Sequence, residues 1–336
     1  MKLSFTAAEA FENSRANIHR AWIAGNNNLS VRARLSTDDV FHIGHRPRFH
    51  LEPNTSVFTM GSCFAREIEN FLINARVAVV LKDHGIPAEH FESWKEGESP
   101  FARGSLSRGA FNKYSVHSMS HEIRRTLRDE SHPDEGLIQL DDRTWFDPHS
   151  SGLKALNYET AIANRRRIAA ATAELRNADV VFLTLGLTET WLDNETGLAM
   201  NSHPGATWLR RLQDRFTFID FGFDATLREL TSTIELIRRM CNSEMRFILT
   251  ISPVPLGVTF KPIDIVVANS GSKALLRTVA EELYRTYDYV DYFPSYELVT
   301  HSPRNKAWLE DQLHVSRQAV DGVVQTFIDS YYGQYL

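Results

Sequence analysis

The chain is short of several things, and each shortage excludes a class. Only two cysteines, Cys63 and Cys241, occur in 336 residues. That is too few for a disulfide-stapled scaffold. No stretch approaches ~18 continuous apolar residues, so no membrane span is expected. Neither charge sign dominates: 37 Lys and Arg stand against 42 Asp and Glu, a net charge of −5. This mild acidity argues against a mainly electrostatic nucleic-acid binder. Glycine (17) and proline (12) are too few for a collagen-like chain. No apolar run follows Lys2, so no secretory leader is expected, and a cytoplasmic location with reduced thiols is the default.

What remains is ordinary for a globular protein, with 43% hydrophobic and 24% charged residues. Ser56-Val57-Phe58-Thr59-Met60 is a short apolar run ending at Gly61 and reads as a buried strand. Phe64, Ile68, Phe71 and Leu72 follow at helical spacing, so a helix starts almost at once. Residues 77–81, 179–185 and 246–251 read as further strands, and 287–292 as a weaker fifth. Helical patterns fall at about 7–23, 158–177, 225–241, 270–286 and 316–331. Gly25-Asn26-Asn27-Asn28 is a breaker, and residues 32–50 read as an irregular arm packed on the main domain. The division expected is an arm over 1–50 and one α/β domain over 51–336. Residues 137–146 resemble a hairpin turning at Asp141-Asp142, and 197–208 with 215–223 a second antiparallel pair.

Strands alternating with helices imply a parallel sheet covered on both faces. Ligands of such sheets bind beyond the carboxyl ends of the strands. Gly61-Ser62-Cys63 lies there, at a helix start, where free amides and the helix dipole favour an anion. A cysteine so placed is expected to have a lowered pKa and thiolate character. Ser62 is either a cap or an alcohol nucleophile. Asp311-Gln312-Leu313-His314 precedes the last helix, and this spacing lets Asp311 orient His314. Lys273 reads as a solvated lysine at a helix start, and Cys241 as packing late in an amphipathic helix.

These residues resemble the GSCFA family of the SGNH/GDSL hydrolase superfamily. Gly61-Ser62-Cys63-Phe64-Ala65 is the family's name-giving motif. Leu183 to Trp191, Thr250 to Pro255, Asn269 to Leu276, Tyr292 to Glu297 and Asp311 to His314 resemble further blocks, in order. The likeness spans roughly residues 50–330. It implies a flavodoxin-like three-layer α/β/α fold with a parallel central sheet, here with inserted hairpins. It also implies an acyl-ester hydrolase or O-acyltransferase, with relatives often acting on acylated sugars and polysaccharides.

Two positions depart from the superfamily pattern. The usual Gly-Asp-Ser is Gly61-Ser62-Cys63, which makes Cys63 the favoured nucleophile and Ser62 the alternative. The usual Gly-x-Asn is Gly186-Leu187-Thr188, which leaves Thr188 as the expected oxyanion donor alongside Gly186. Gly109 is the candidate for the remaining block glycine. The expected mechanism has His314, oriented by Asp311, activating Cys63 toward an acyl carbonyl. Glu189, Trp191, His149 and Asn112 are candidates for binding the substrate. No metal is expected, since no CxxC or HExxH spacing occurs. No cofactor is expected either, although acyl-CoA is a candidate acyl donor. The partner expected is a small-molecule or saccharide ester, not nucleic acid. The competing reading is a non-catalytic carbohydrate- or partner-binding module that keeps the fold.

Overall fold

Alternate residues of the long strands bury against opposite faces, which is how a sheet covered on both sides is built. A computed structural model of the chain describes residues 4–23, 29–80, 85–93, 109–128 and 134–333. Its strands are β1 (Ser56–Gly61), β2 (Ala78–Val79), β3 (Ile138–Gln139), β4 (Trp145–Phe146), β5 (Val180–Leu185), β6 (Glu189–Asp193), β7 (Leu198–Ala199), β8 (Phe216–Asp220), β9 (Arg246–Ile251) and β10 (Val290–Tyr292). Its α-helices are α1 (Ala7–Ala16), α2 (Val31–Thr37), α3 (Cys63–Asn74), α4 (Val116–Arg128), α5 (Tyr158–Ala173), α6 (Ala206–Arg211), α7 (Phe223–Met240), α8 (Ile265–Thr286), α9 (Ser295–His301), α10 (Arg304–Ala307) and α11 (Arg317–Tyr331).

The central sheet is parallel, in the order β10-β9-β5-β1-β2. Numbered within the sheet alone, this is the flavodoxin-like order 2-1-3-4-5, read from the β2 edge. Phe58, Met60, Val181, Leu183, Phe247 and Leu249 pack under α4, α5, α7 and α8. Val57, Val180, Phe182 and Ile248 pack under α3, α9 and α11. Each fully buried side chain of this kind stabilises the fold by about 1.5–3 kcal/mol. The expected three-layer α/β/α architecture is therefore present.

Several local expectations change. The helix expected over 7–23 ends at Ala16, because Asn17 turns to an extended backbone and its side chain accepts from the His19 amide. The expected breaker at Gly25 to Asn28 lies outside the described residues. The second strand keeps only Ala78–Val79, and residue 81 also lies outside them. The hairpin at Asp141-Asp142 forms as β3–β4. The other insertion is three-stranded, ordered β7-β6-β8, so residues 189–193 are a strand and both neighbours pair with it. α8 begins five residues before the expected helix start at Ser270 because Asp264 caps the Val266 amide. α4 is a further helix with no counterpart in the sequence reading. Within 29–50, Arg48 donates from its amide to Asp291 Oδ2 at 2.8 Å and Phe41 to Ser302 Oγ at 2.8 Å.

β1 ends where only glycine fits. A Cβ on Gly61 would stand 2.6 Å from both Cβ and the carbonyl oxygen of Thr184 on β5. Backbone cannot move aside as a flexible side chain can. Gly61→Ala is expected to lower stability by about 1–3 kcal/mol, read as a fall in the urea midpoint with an unchanged slope.

Candidate functional site

β1, β5 and β9 lie side by side and in register, Gly61 opposite Thr184 and Thr184 opposite Thr250. Their carboxyl ends therefore open at one place. Ser62 caps α3 from extended backbone, and its side chain makes no capping bond. Its buried Oγ instead meets Ser252 Oγ, just past β9, at 3.1 Å. Cys63 follows as the first helical residue and is half-buried.

The thiol does not have the expected lowered pKa. Burial pushes it up, and this outweighs the backbone amides of Phe64 and of Cys63 itself, which favour the thiolate. Glu67 adds to the rise and Lys273 opposes it. A helix start favours an anion, but desolvation of that anion is the larger effect in this setting.

Lys273 corrects a second expectation. It is neither solvated nor at a helix start: it lies well inside α8 and is 1% exposed. Its Nζ donates to the carbonyls of Gly186 and Val254, both at 2.8 Å. Those carbonyls follow β5 and β9, so the lysine sits at the strand ends. Burial lowers its pKa to about 7, and Cys63 is the charge that pulls it back up. A neutral amine has two hydrogens, which the two carbonyls use, and its lone pair stays free. The signal in the sequence was the helical register with Leu276, Val279 and Ala280, which puts Lys273 on the buried face of α8.

Asp311 and His314 form the expected pair. Asp311 Oδ1 accepts from the Leu313 and His314 amides, and Oδ2 lies 2.6 Å from His314 Nδ1. The hydrogen bond to His314 draws the Asp311 pKa down to about 2. This turn holds the imidazole through Nδ1, so Nε2 is the ring nitrogen that Asp311 leaves free. Both side chains are about half exposed, at 52% and 48%. Among the described residues, no hydrogen bond joins the pair to Cys63.

Thr188, the expected oxyanion donor, lies 2.6 Å from Asp220 Oδ1, an acceptor-only atom. Its single hydroxyl hydrogen is committed there, so the donors nearest the sulfur are the amides at the start of α3. Gly186 allows close approach: a Cβ there would stand 2.5 Å from the Tyr114 carbonyl oxygen. Gly109 accepts from the Asn112 amide, and Asn112 pairs with Gly61 beside the site turn.

A pocket of about 130 Å³ adjoins these residues. Trp191, Phe218 and Phe260 wall it, with ring centroids 4.9–5.6 Å apart. Glu189 lines it too, accepting from Thr259 Oγ1 at 2.8 Å and pairing with Lys261 at 3.3 Å. Tyr114 lines the pocket and feels the charge of Cys63, which ties pocket to thiol. His149 lies elsewhere, buried against His121 with ring centroids 4.3 Å apart.

The family model described as GSCFA family matches residues 56–327. The chain belongs to the GSCFA family. No curated protein and no solved structure matches it. The residues that name this family form the β1–α3 turn described above. No helix among the described residues is long and apolar enough to cross a membrane.

Proposed function

We propose that this GSCFA chain is an SGNH-type acyl-ester hydrolase or O-acyltransferase acting on a saccharide ester, with Cys63 as nucleophile. The observation that carries the reading is Cys63 at a helix start, electrostatically coupled to a buried lysine and to Tyr114, which lines an aromatic pocket. Aromatic faces suit the apolar faces of a sugar ring, and Glu189 suits its hydroxyls. Cys63 gives its thiol proton to Lys273. The resulting thiolate attacks the acyl carbonyl, and the amides at the start of α3 hold the oxyanion. The C–O bond breaks, the alkoxide leaves with a proton, and a thioester remains. The leaving alkoxide takes the proton held by Lys273; His314, oriented by Asp311, then takes a proton from the incoming water or hydroxyl and returns it to the departing thiolate.

The test is intact-protein mass spectrometry after exposure to p-nitrophenyl acetate or acetyl-CoA. One acetyl adduct is expected on the wild type and on Ser62→Ala, and none on Cys63→Ala. An adduct lost only in Ser62→Ala transfers the role to serine. In His314→Ala the adduct is expected to persist and turnover to fall. A second reading, a carbohydrate-binding module without chemistry, is favoured by the raised thiol pKa and the committed Thr188 hydroxyl. It requires that no adduct form with either donor while oligosaccharides still bind.

A further inference from the structure

Among the described residues, two that are not glycine hold a left-handed backbone, Arg76 and Gln312. Arg76 follows the end of α3, where its amide and that of Val77 close the helix on the Ile73 and Leu72 carbonyls. That is an ordinary place for such a residue. Gln312, at φ 56°, closes no helix. It lies between Asp311 and His314, inside the turn that the proposed reaction uses.

The local fold explains why this backbone is needed. Trp308 bridges Val315 antiparallel, the Leu309 amide donates to the His314 carbonyl, and the Gln312 amide donates to the Leu309 carbonyl. Residues 308–315 therefore form a short hairpin. A left-handed residue after the turn of such a hairpin is common, and glycine fills that place without strain. Turned this way, the chain presents the Leu313 and His314 amides to Asp311 Oδ1, at 2.9 and 3.0 Å, and leaves Oδ2 for His314 Nδ1. A residue with a Cβ resists that backbone, so its surroundings must hold it there.

Arg304 of α10 provides the hold. Its Nε donates to Gln312 Oε1 at 2.8 Å and its Nη2 to the Gln312 carbonyl at 3.2 Å. Gln312 Nε2 in turn donates to the Leu309 carbonyl at 3.0 Å. The guanidinium lies over the ring of buried Trp308, 5.0 Å from its centroid. A glycine at 312 would make the turn but offer no side chain to grip. The glutamine ties the turn to α10 at two points, and the planar guanidinium suits such a two-point grip.

We propose that Arg304 is a positioning residue for the Asp311–His314 pair, holding Gln312 left-handed so that carboxylate and ring stay engaged. It acts through the turn and not on the substrate. Its consequence for catalysis rests on the acyl-transfer reading above, whereas the hold itself does not.

NMR titration of the Asp311 carboxyl tests the hold without any substrate. In the wild type the His314 ring and the amides of His314 and Leu313 draw its midpoint down to about 2. In Arg304→Met the midpoint is expected to rise by about one unit toward the ordinary 3.8. Arg304→Lys keeps the charge without the two-point grip and is expected to do the same. Gln312→Gly adopts the turn unaided, so its midpoint is expected to stay near that of the wild type, and to remain there when Arg304→Met is added. Both side chains are exposed, so these variants are expected to fold. An unmoved midpoint in Arg304→Met overturns the proposal. So does an equal rise when Arg304→Met is placed in the Gln312→Gly background, which makes Arg304 a remote charge only. With p-nitrophenyl acetate, hydrolysis of the acetyl-enzyme is expected to slow about tenfold in Arg304→Met and to recover in the double variant. A shifted midpoint with unchanged hydrolysis overturns the positioning role. A wild type that forms no acetyl-enzyme overturns the acyl-transfer reading instead, and the titration still decides whether Arg304 holds the turn.

Discussion

Lys273→Met is expected to slow alkylation of Cys63 by iodoacetamide about tenfold or more at pH 6, where the buried lysine still carries its charge. A nearby opposite charge shifts a pKa by about 1–3 units, and the thiolate fraction follows. Lys273 is the cationic side chain that lowers the Cys63 pKa, while burial and Glu67 raise it. Removing it leaves the sulfur with only the amides of α3. The rate-versus-pH curve discriminates: its midpoint moves upward in Lys273→Met and recovers in part in Lys273→Arg. A purely structural lysine leaves the midpoint where it is. Stability supplies a second readout. Below about pH 7 the lysine is protonated in both folded and unfolded chains, and above about 10.5 in neither. Between those values only the unfolded chain holds the proton. Wild-type stability is therefore expected to rise with pH across that window relative to Lys273→Met. An identical pH dependence in the two proteins contradicts the burial argument.

The strands that position this site were legible because their chemistry is local. Val57 to Met60, Val180 to Leu185 and Phe247 to Ile251 are continuous apolar runs, as strands covered on both faces require. The turn at Gly61 announced itself by the switch from a strand run to helical spacing. β6 was missed because Thr190, Trp191 and Leu192 are only partly buried and sit among turn-like residues. α4 was missed for a different reason. Val116, Met119, Ile123 and Leu127 keep helical spacing, but Glu122 and Arg125 between them read as solvent-facing and are in fact buried. Glu122 and Arg125 pair at i,i+3, which looks like an ordinary surface pair of a helix, and Lys113, which completes the buried group, lies before the helix starts. Lys273 was misread through a helix boundary. Asn269-Ser270-Gly271 looks like a start, yet the chain is already helical from Ile265, which carries the lysine inward. For α4 and Lys273 the missed feature is a polar group inside the fold, and sequence pattern assigns such groups to the surface by default.

Glu122→Gln is expected to cost about 3–5 kcal/mol in urea unfolding, a large share of a typical domain's stability. The carboxylate is 1% exposed and serves Lys113 and Arg125 together. Neutralising it takes from Lys113 its ion-pair partner and from Arg125 the largest of the charges that compensate it. Lys113 also donates to the His149 carbonyl, so its ammonium cannot swing to solvent without breaking that bond. The double variant Lys113→Met with Glu122→Gln is expected to be more stable than the sum of the single changes, because each removes part of the other's penalty. The same network sets the acid limit. Arg125 and Lys113 hold the Glu122 pKa below its ordinary value, and Arg165 holds Asp147 down to about 2. Their contribution is present above the ordinary carboxylate range, starts to be lost as pH falls through it, and is gone only below the folded values, about 2 for Asp147. An earlier loss comes from His121, whose pKa burial lowers to about 4, and from His149, lowered further. Between pH 6.5 and about 4 the unfolded chain takes up these protons and the fold does not. Each such histidine removes up to about 1.4 kcal/mol per pH unit across that window. Stability is therefore expected to decline from pH 6.5 downward, before the carboxylates titrate, and His121→Phe is expected to flatten that decline. A wild-type profile that is level from pH 6.5 to 4.5 contradicts the neutral, buried state of both rings, and a Glu122→Gln cost under about 1 kcal/mol means that the network carries little of the fold's stability.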